Sequence, residues 1–293
     1  MISSRTTQNS MNGVNYTARS SRFPDFSGRV VLITGGTRGI GLDTGLAFGK
    51  RGARCILTYR WGEHSEDEIL EAFSKVKASA PIIIQANVAD EEDTQQLMET
   101  LILQIKSVDV FICNVSVSAI VRGFEDYSLK ALKQSISYSS WPIVSYTLKI
   151  KEIFGCYPKY VMGISSTGPD HYSYGYDYVA ASKTVMEVIV RYLNYRLREE
   201  NVIINTIRSR AIKTKSLVDT FGAEMEAFMK ELVPDNYWIE PVELAETLVA
   251  LCSGYCDAIS GQTINVDRGT SFFDNLMDIY TRHLNKKYQK KSI

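Results

Sequence analysis

Short, almost wholly apolar runs alternate along the chain with longer stretches in which apolar residues return every three or four positions. The first run, Val30-Val31-Leu32-Ile33, is bounded by glycines at 28 and 35. Runs that are apolar at every position belong to strands covered on both faces, whereas a strand with one wet face alternates. The pattern predicts strands over 29–34, 54–59, 81–86, 108–113, 160–164, 202–207 and 262–266. Helical spacing predicts helices over 40–50, 65–78, 90–106, 128–152, 179–199 and 241–252, with Pro142 bending or interrupting the fourth. Strand and helix thus alternate through most of the chain. That predicts the α/β class: a doubly wound, seven-stranded parallel sheet with right-handed crossovers and helices on both faces. Its ligand crevice is expected at the carboxyl ends of the strands.

The ends depart from this texture. Residues 1–27 are rich in Ser, Thr, Asn and Arg and hold no acid before Asp25, which predicts a flexible N-terminal arm; a transit peptide has a similar composition. Residues 271–293 end in Lys286, Lys287, Lys290 and Lys291 and read as a solvated basic tail. One domain is therefore expected over 28–270. With 293 residues, 45% of them hydrophobic, the chain can bury one large core. Its 33 basic residues balance 33 acidic ones, so nothing global favours nucleic acid or an anionic membrane as partner. No apolar run reaches the length of a membrane span. Five cysteines without a pairing framework suggest a reducing compartment, the cytoplasm. Cys252 and Cys256 read as two thiols on a helix face; no His stands near them to complete a metal site.

The first strand opens into Thr34-Gly35-Gly36-Thr37-Arg38-Gly39-Ile40-Gly41. Glycines here permit a tight turn and let backbone approach a pyrophosphate, while the following helix offers free N–H groups and the positive end of its dipole. Gly35, Thr37, Arg38, Gly39, Ile40 and Gly41 are therefore candidate cofactor ligands. This spacing resembles that of the short-chain dehydrogenase/reductase superfamily, and the resemblance runs over about residues 28–270. It implies a Rossmann-type fold that binds a nicotinamide dinucleotide. In that family an acid closing the second strand usually grips the ribose 2′-hydroxyl. Here the strand ends Leu57-Thr58-Tyr59-Arg60-Trp61, with no acid before Glu63. Arg60 with Arg38 suits a 2′-phosphate, so NADPH is expected over NADH, unless both arginines are plain surface charges. Asn87-Val88 resembles the adenine-contacting pair of the family. Cys113-Asn114-Val115-Ser116 stands where the family has Asn-Asn-Ala-Gly, keeping only Asn114.

The family's catalytic lysine is matched by Lys183, but the usual tyrosine position four residues earlier holds Val179. Tyr176, followed by six residues and Lys183, matches instead the enoyl-acyl-carrier-protein reductases, a branch of the same superfamily, and most resembles their Bacillus-type NADPH-dependent members. Ser165-Ser166, Arg191-Tyr192-Leu193, Ala211-Ile212-x-Thr214 and Gly261-Gln262-Thr263 agree with that branch. The resemblance casts Tyr176 as hydrogen-bond donor to the substrate carbonyl oxygen and Ser166 as a second donor. It casts Lys183 as the ligand of the nicotinamide ribose, and Ile212 with Thr214 as the holders of the carboxamide. Four tyrosines stand between 171 and 178, so Tyr178 is the alternative acid; His171 reads as a loop residue. The family's fourth-helix Asn maps to Ser137, and its Pro-Gly after the sixth strand to Ser209-Arg210. Arg208 and Arg210 either bind a carboxylate or phosphopantetheine phosphate or face solvent. The segment 213–240, with Leu217, Val218, Phe221, Met225, Phe228 and Met229, is expected to cover the substrate.

These residues imply an NADPH-dependent reductase of an activated C=C bond, with the enoyl thioester free, CoA-tethered or carrier-bound, in specialised lipid, polyketide or peptide metabolism. Other readings stay open: a carbonyl reductase using Tyr178, a non-redox reaction on the same scaffold, or a nucleotide-binding partner without catalysis. The resemblance also implies a homodimer or homotetramer.

Overall fold

The protein is described by a computed structural model covering residues 24–61, 65–117, 119–210, 212, 237–272, 277, 280 and 281. Its strands are β1 (Val30–Thr34), β2 (Arg54–Tyr59), β3 (Ile82–Gln85), β4 (Val110–Cys113), β5 (Tyr160–Ser166), β6 (Ile203–Ser209) and β7 (Thr263–Val266). They form one seven-stranded sheet in the order β3-β2-β1-β4-β5-β6-β7. Every pairing in it is parallel. The order reverses beside β1 and β4, the switch point at which a doubly wound sheet opens its crevice. The fold expected from the apolar runs is the fold observed.

The helices are α1 (Gly39–Gly49), α2 (Glu66–Lys75), α3 (Glu91–Ile102), α4 (Leu129–Ser139), α5 (Pro142–Phe154), α6 (Asp177–Arg196) and α7 (Pro241–Leu251). Pro142 interrupts the single helix expected over 128–152. Lacking an N–H, it is tolerated in a first turn, and here it opens α5. α6 begins two residues earlier than expected, and β5 runs two residues further, to Ser166. α7 stops at Leu251, so Cys252 caps the helix and Cys256 falls in the turn beyond it, not on the same face as expected.

The pleat divides the core in two. Val31 and Ile33 of β1 and Val110 and Ile112 of β4 join a cluster with Phe48, Phe73 and Leu248, beneath α1, α2 and α7. Leu32 and Phe111 point the other way, to Met98, Tyr146 and Met186 under α3, α5 and α6. Alternate residues of one apolar run thus feed both layers, as period two requires. Phe26 enters the first layer, 3% exposed and edge-on to Phe48 at 4.8 Å between centroids. The core therefore reaches past the boundary expected at 27/28, because Phe26 N donates to Arg51 O and its ring is buried. Among the described residues, no helix is long and apolar enough to cross a membrane.

The sheet and the second layer meet most tightly at Gly163 in β5. A Cβ there would stand 2.6 Å from Met186 Sδ of α6 and 3.1 Å from Ile143 Cδ1 of α5. Gly163→Ala should lower the unfolding free energy by about 1–3 kcal/mol, the usual cost of overpacking. Urea denaturation of the variant, followed by far-UV circular dichroism, measures it.

Candidate active site

The turn after β1 is shaped by what it excludes. Gly35 and Gly39 take φ of +63° and +53°, in the left-handed region that side chains avoid. A Cβ on Gly41 would lie 2.1 Å from Gly35 O, and one on Gly36 2.9 Å from Leu57 Cβ. Asn114, at the end of β4, donates its amide to Thr34 O at 3.1 Å and Gly35 O at 3.0 Å. Its backbone N–H also donates to Thr34 Oγ1. Asn114 therefore fixes the turn from beneath. α1 starts at Gly39 with extended Arg38 at its N-cap and no side chain capping it. Its first N–H groups are left for an anion, as a pyrophosphate requires. Thr37 is buried; Arg38 is exposed at the rim.

Arg60 follows β2. Its guanidinium carbon lies 3.8 Å from the Trp61 ring centroid and 5.1 Å from that of Tyr138 on α4. Its Nη1 is buried without a hydrogen-bond partner. An orphaned guanidinium nitrogen at the end of the second strand fits a phosphate oxygen, so the donor set suits a 2′-phosphorylated dinucleotide. Val88 is buried, and Asn87 folds its Oδ1 onto Ala89 N.

The end of β5 gathers the remaining chemistry. Lys183 on α6 is 3% exposed, and its Nζ donates to Ile164 O at 2.7 Å. Burial lowers its pKa to about 8, with Cys113 and Glu187 pulling the other way. The Cys113 thiol is itself pushed up to about 12 by burial, opposed by Lys183. Two residues beyond Ile164, Ser166 hydrogen-bonds the Tyr176 hydroxyl. Burial raises the Tyr176 pKa, and the Ser166 bond works against that rise. Its phenol is thus held protonated at neutral pH. Tyr176 is the N-cap of α6, with φ −101° and ψ 8°. Its ring lies flush on Gly168, where a Cβ would come within 2.9 Å of Cδ1 and Cε1. Lys183 and Tyr176 are therefore both fastened to β5, two residues apart.

Tyr178, the alternative acid, is placed elsewhere. It is 3% exposed, accepts a hydrogen bond from Ser128 N, and donates to Asp126 O at 3.2 Å. It sits one residue inside α6, about 100° around the helix from its neighbours, and anchors the start of α4. Ser137 also departs from expectation: its hydroxyl returns to Lys133 O of its own helix. Ser139 occupies the contact instead, fully buried, with Oγ accepting from Val117 N at 3.1 Å. Ser140 donates to Ser182 O on α6. The buried face of α4 carries Ser135, Tyr138 and Ser139, at i, i+3 and i+4, so Ser137 falls off it. Arg208 is paired with Glu187 and Asp170 and is not a solvent-facing charge, and Arg210 donates to Thr270 O at 2.9 Å. Ile212 is buried and bridges Ile239 in parallel. Thr214, Glu63 and the apolar residues expected between 217 and 229 lie outside the described residues.

A pocket of about 300 Å³ opens beside Tyr176, lined by Gly168, Pro169, Asp170, His171, Tyr172 and Ala180. His171 Nδ1 is 3.3 Å from Thr167 O, which makes it part of the loop's own frame. The glycine turn beside the switch point fits a dinucleotide, and the end of β5 carries a neutral phenol at Tyr176 and a buried lysine at Lys183.

Comparison with known proteins agrees. Residues 35–271 match the family described as enoyl-(acyl carrier protein) reductase. Glucose 1-dehydrogenase 2 of Bacillus subtilis is 23% identical over 266 residues, 87% of this chain and 100% of the relative. The enoyl-[acyl-carrier-protein] reductase [NADH] of Aquifex aeolicus is 23% identical over 252 residues, 83% and 91% of the two chains. The solved 7 alpha-hydroxysteroid dehydrogenase, complexed with NADH and 7-oxo glycochenodeoxycholic acid, superposes with TM-score 0.74 at 20% identity, covering 84% of this chain and 95% of that one.

Lys183 supplies a test of the site's electrostatics. A lysine whose folded pKa is about 8, below its ordinary 10.5, binds fewer protons folded than unfolded between those values. Stability therefore rises with pH across that window and the cost of the buried charge fades. In the nucleotide-free protein, wild type should gain on Lys183→Met between pH 8 and pH 10.5. Unfolding free energies of both proteins across that range measure it; a constant difference would contradict the burial.

Proposed function

The chain belongs to the short-chain dehydrogenase/reductase superfamily, and on that premise we propose that it is an NADPH-dependent reductase of activated C=C bonds. One observation supports that reading: the tyrosine seven residues before Lys183, the spacing of the enoyl reductases, meets Ser166, whereas Tyr178 is spent on Ser128 and Asp126. The dinucleotide, when bound, supplies a hydride from its nicotinamide. The glycine turn and the open end of α1 hold the pyrophosphate, and Arg60 with Arg38 takes the 2′-phosphate. Lys183 leaves Ile164 O for the nicotinamide ribose and keeps the local potential positive. As hydride reaches the β-carbon of an unsaturated thioester, negative charge gathers on the carbonyl oxygen. The neutral phenol of Tyr176, with Ser166 beside it, stabilises that oxygen by hydrogen bonding.

Carbonyl reduction is the second reading. The same phenol would then give its proton to the reduced oxygen itself. It is supported by relatives named as dehydrogenases and as an aldehyde reductase at similar identity. The two readings part on the acceptor that consumes NADPH.

The measurement is NADPH oxidation with crotonyl thioesters and a ketone panel. Tyr176→Phe should lose about a hundredfold or more in kcat while keeping its NADPH affinity. Tyr178→Phe should keep turnover and lose about 0.5–1.5 kcal/mol of stability, the net worth of its hydrogen bonds to Ser128 N and Asp126 O. Arg60→Ala should weaken NADPH binding and leave NADH binding unchanged. Oxidation by ketones alone would transfer the assignment to the second reading.

Self-association is proposed along α6. Val188, Tyr192 and Tyr195 recur at i, i+4 and i+7 on that helix and are exposed. A homodimer or homotetramer in sedimentation, reduced to a smaller species by Tyr192→Glu with Tyr195→Glu, is the expected outcome.

A further inference from the structure

The loop between β5 and α6 carries Tyr176, yet much of its own bonding is internal. Asp170 N and His171 N both donate to Thr167 O, and Tyr176 N donates to Ser173 O. These bonds shape the loop without fixing it to the sheet.

Arg208 supplies that fixing from another strand. It lies on β6 directly beside Ser165 of β5. Its Nε donates to Glu187 Oε1 at 2.7 Å and its Nη2 to Glu187 Oε2 at 2.6 Å, the two-pronged geometry only a guanidinium offers. Ser165 Oγ donates to the same Oε1 at 2.6 Å. The remaining prong, Nη1, reaches Asp170 Oδ2 on the loop. Glu187 is 5% exposed and stands one helical turn beyond Lys183 on α6. One side chain thus joins β6, the lysine-bearing helix and the tyrosine-bearing loop. Both carboxylates that face the guanidinium belong to this chain, so its charge is answered from within.

We propose that Arg208 is a positioning residue: through Asp170 it latches the β5–α6 loop, so that Tyr176 stays seated on Gly168 with its hydroxyl on Ser166. This rests on the reading of Tyr176 as donor to the substrate oxygen. Arg208 accordingly serves no anionic group of a substrate. A misplacement of the phenol by about an ångström is enough to cost catalysis heavily while leaving the glycine turn after β1, which would hold the pyrophosphate, intact.

The test uses the full chain and Asp170→Ala, a change at a half-exposed position that leaves the Glu187–Arg208 fork in place. Hydrogen exchange of the 168–176 segment should quicken about fivefold or more, with exchange in the core strands unchanged. NADPH affinity should stay within about twofold, while kcat with crotonyl-CoA falls about tenfold or more and KM moves less. Asp170→Asn, which keeps an acceptor oxygen, should recover part of both effects. Arg208→Lys, which keeps the charge and loses the fork, should resemble Asp170→Ala. Unchanged exchange over 168–176 in Asp170→Ala would overturn the latch, as would faster exchange with undiminished kcat. If the wild-type chain reduces no thioester, the reading of its reaction fails by itself, and the exchange comparison still decides the latch.

Discussion

Asn114 spends its side-chain amide on two carbonyls of the turn after β1. This small bond set is what the rest of the crevice depends on. The strand order reverses at β1 and β4, whose pairing ends at Ile33 and Ile112, and beyond those residues no ladder holds the two turns in register. Asn114 supplies the missing rungs. Because Thr34 O and Gly35 O are satisfied from below, the turn can bring its backbone close to α1 without burying unpaired carbonyls. The glycines then follow as a steric necessity, since the approach they allow leaves no room for a Cβ at 36 or 41.

A second constraint acts at the end of β5. Lys183 is almost fully buried, and a buried ammonium is tolerable only with partners. It has a backbone carbonyl at Ile164 and, one turn along α6, the carboxylate of Glu187. Glu187 is in turn shared between Ser165 and Arg208. The charges alternate from Lys183 through Glu187 and Arg208 to Asp170. Each is placed where the next can answer it, and removal of Glu187 would leave both Lys183 and Arg208 short of a counter-charge in a poorly solvated place.

The sheet was legible because apolar runs of four to six residues between turn residues admit few alternatives, and all seven strands fall where those runs lie. The glycine turn was legible because its geometry forbids side chains, and a prohibition shows in sequence. Tyr176 and Lys183 were legible through spacing alone. What stayed hidden depends on direction. Position-by-position matching pointed to Ser137 and could not show that the buried face of α4 is the one carrying Ser135, Tyr138 and Ser139. Nor can it show that Arg208 is consumed by Glu187 and Asp170, since those partners stand 21 and 38 residues away. Phe26 escaped because two phenylalanines, Phe23 and Phe26, in a short polar stretch are too few to set a period.

Tyr176 and Lys183 also differ in how they are mounted. Lys183 is carried by the second turn of a long helix, whose hydrogen bonds leave it no freedom of its own. Tyr176 sits just outside that helix, at a residue whose backbone is not helical. Residues could be added to or removed from the loop ahead of it without disturbing the helix register, and the phenol would move while the ammonium stayed. A scaffold so divided can try new placements of its proton donor against a fixed nucleotide, one loop length at a time.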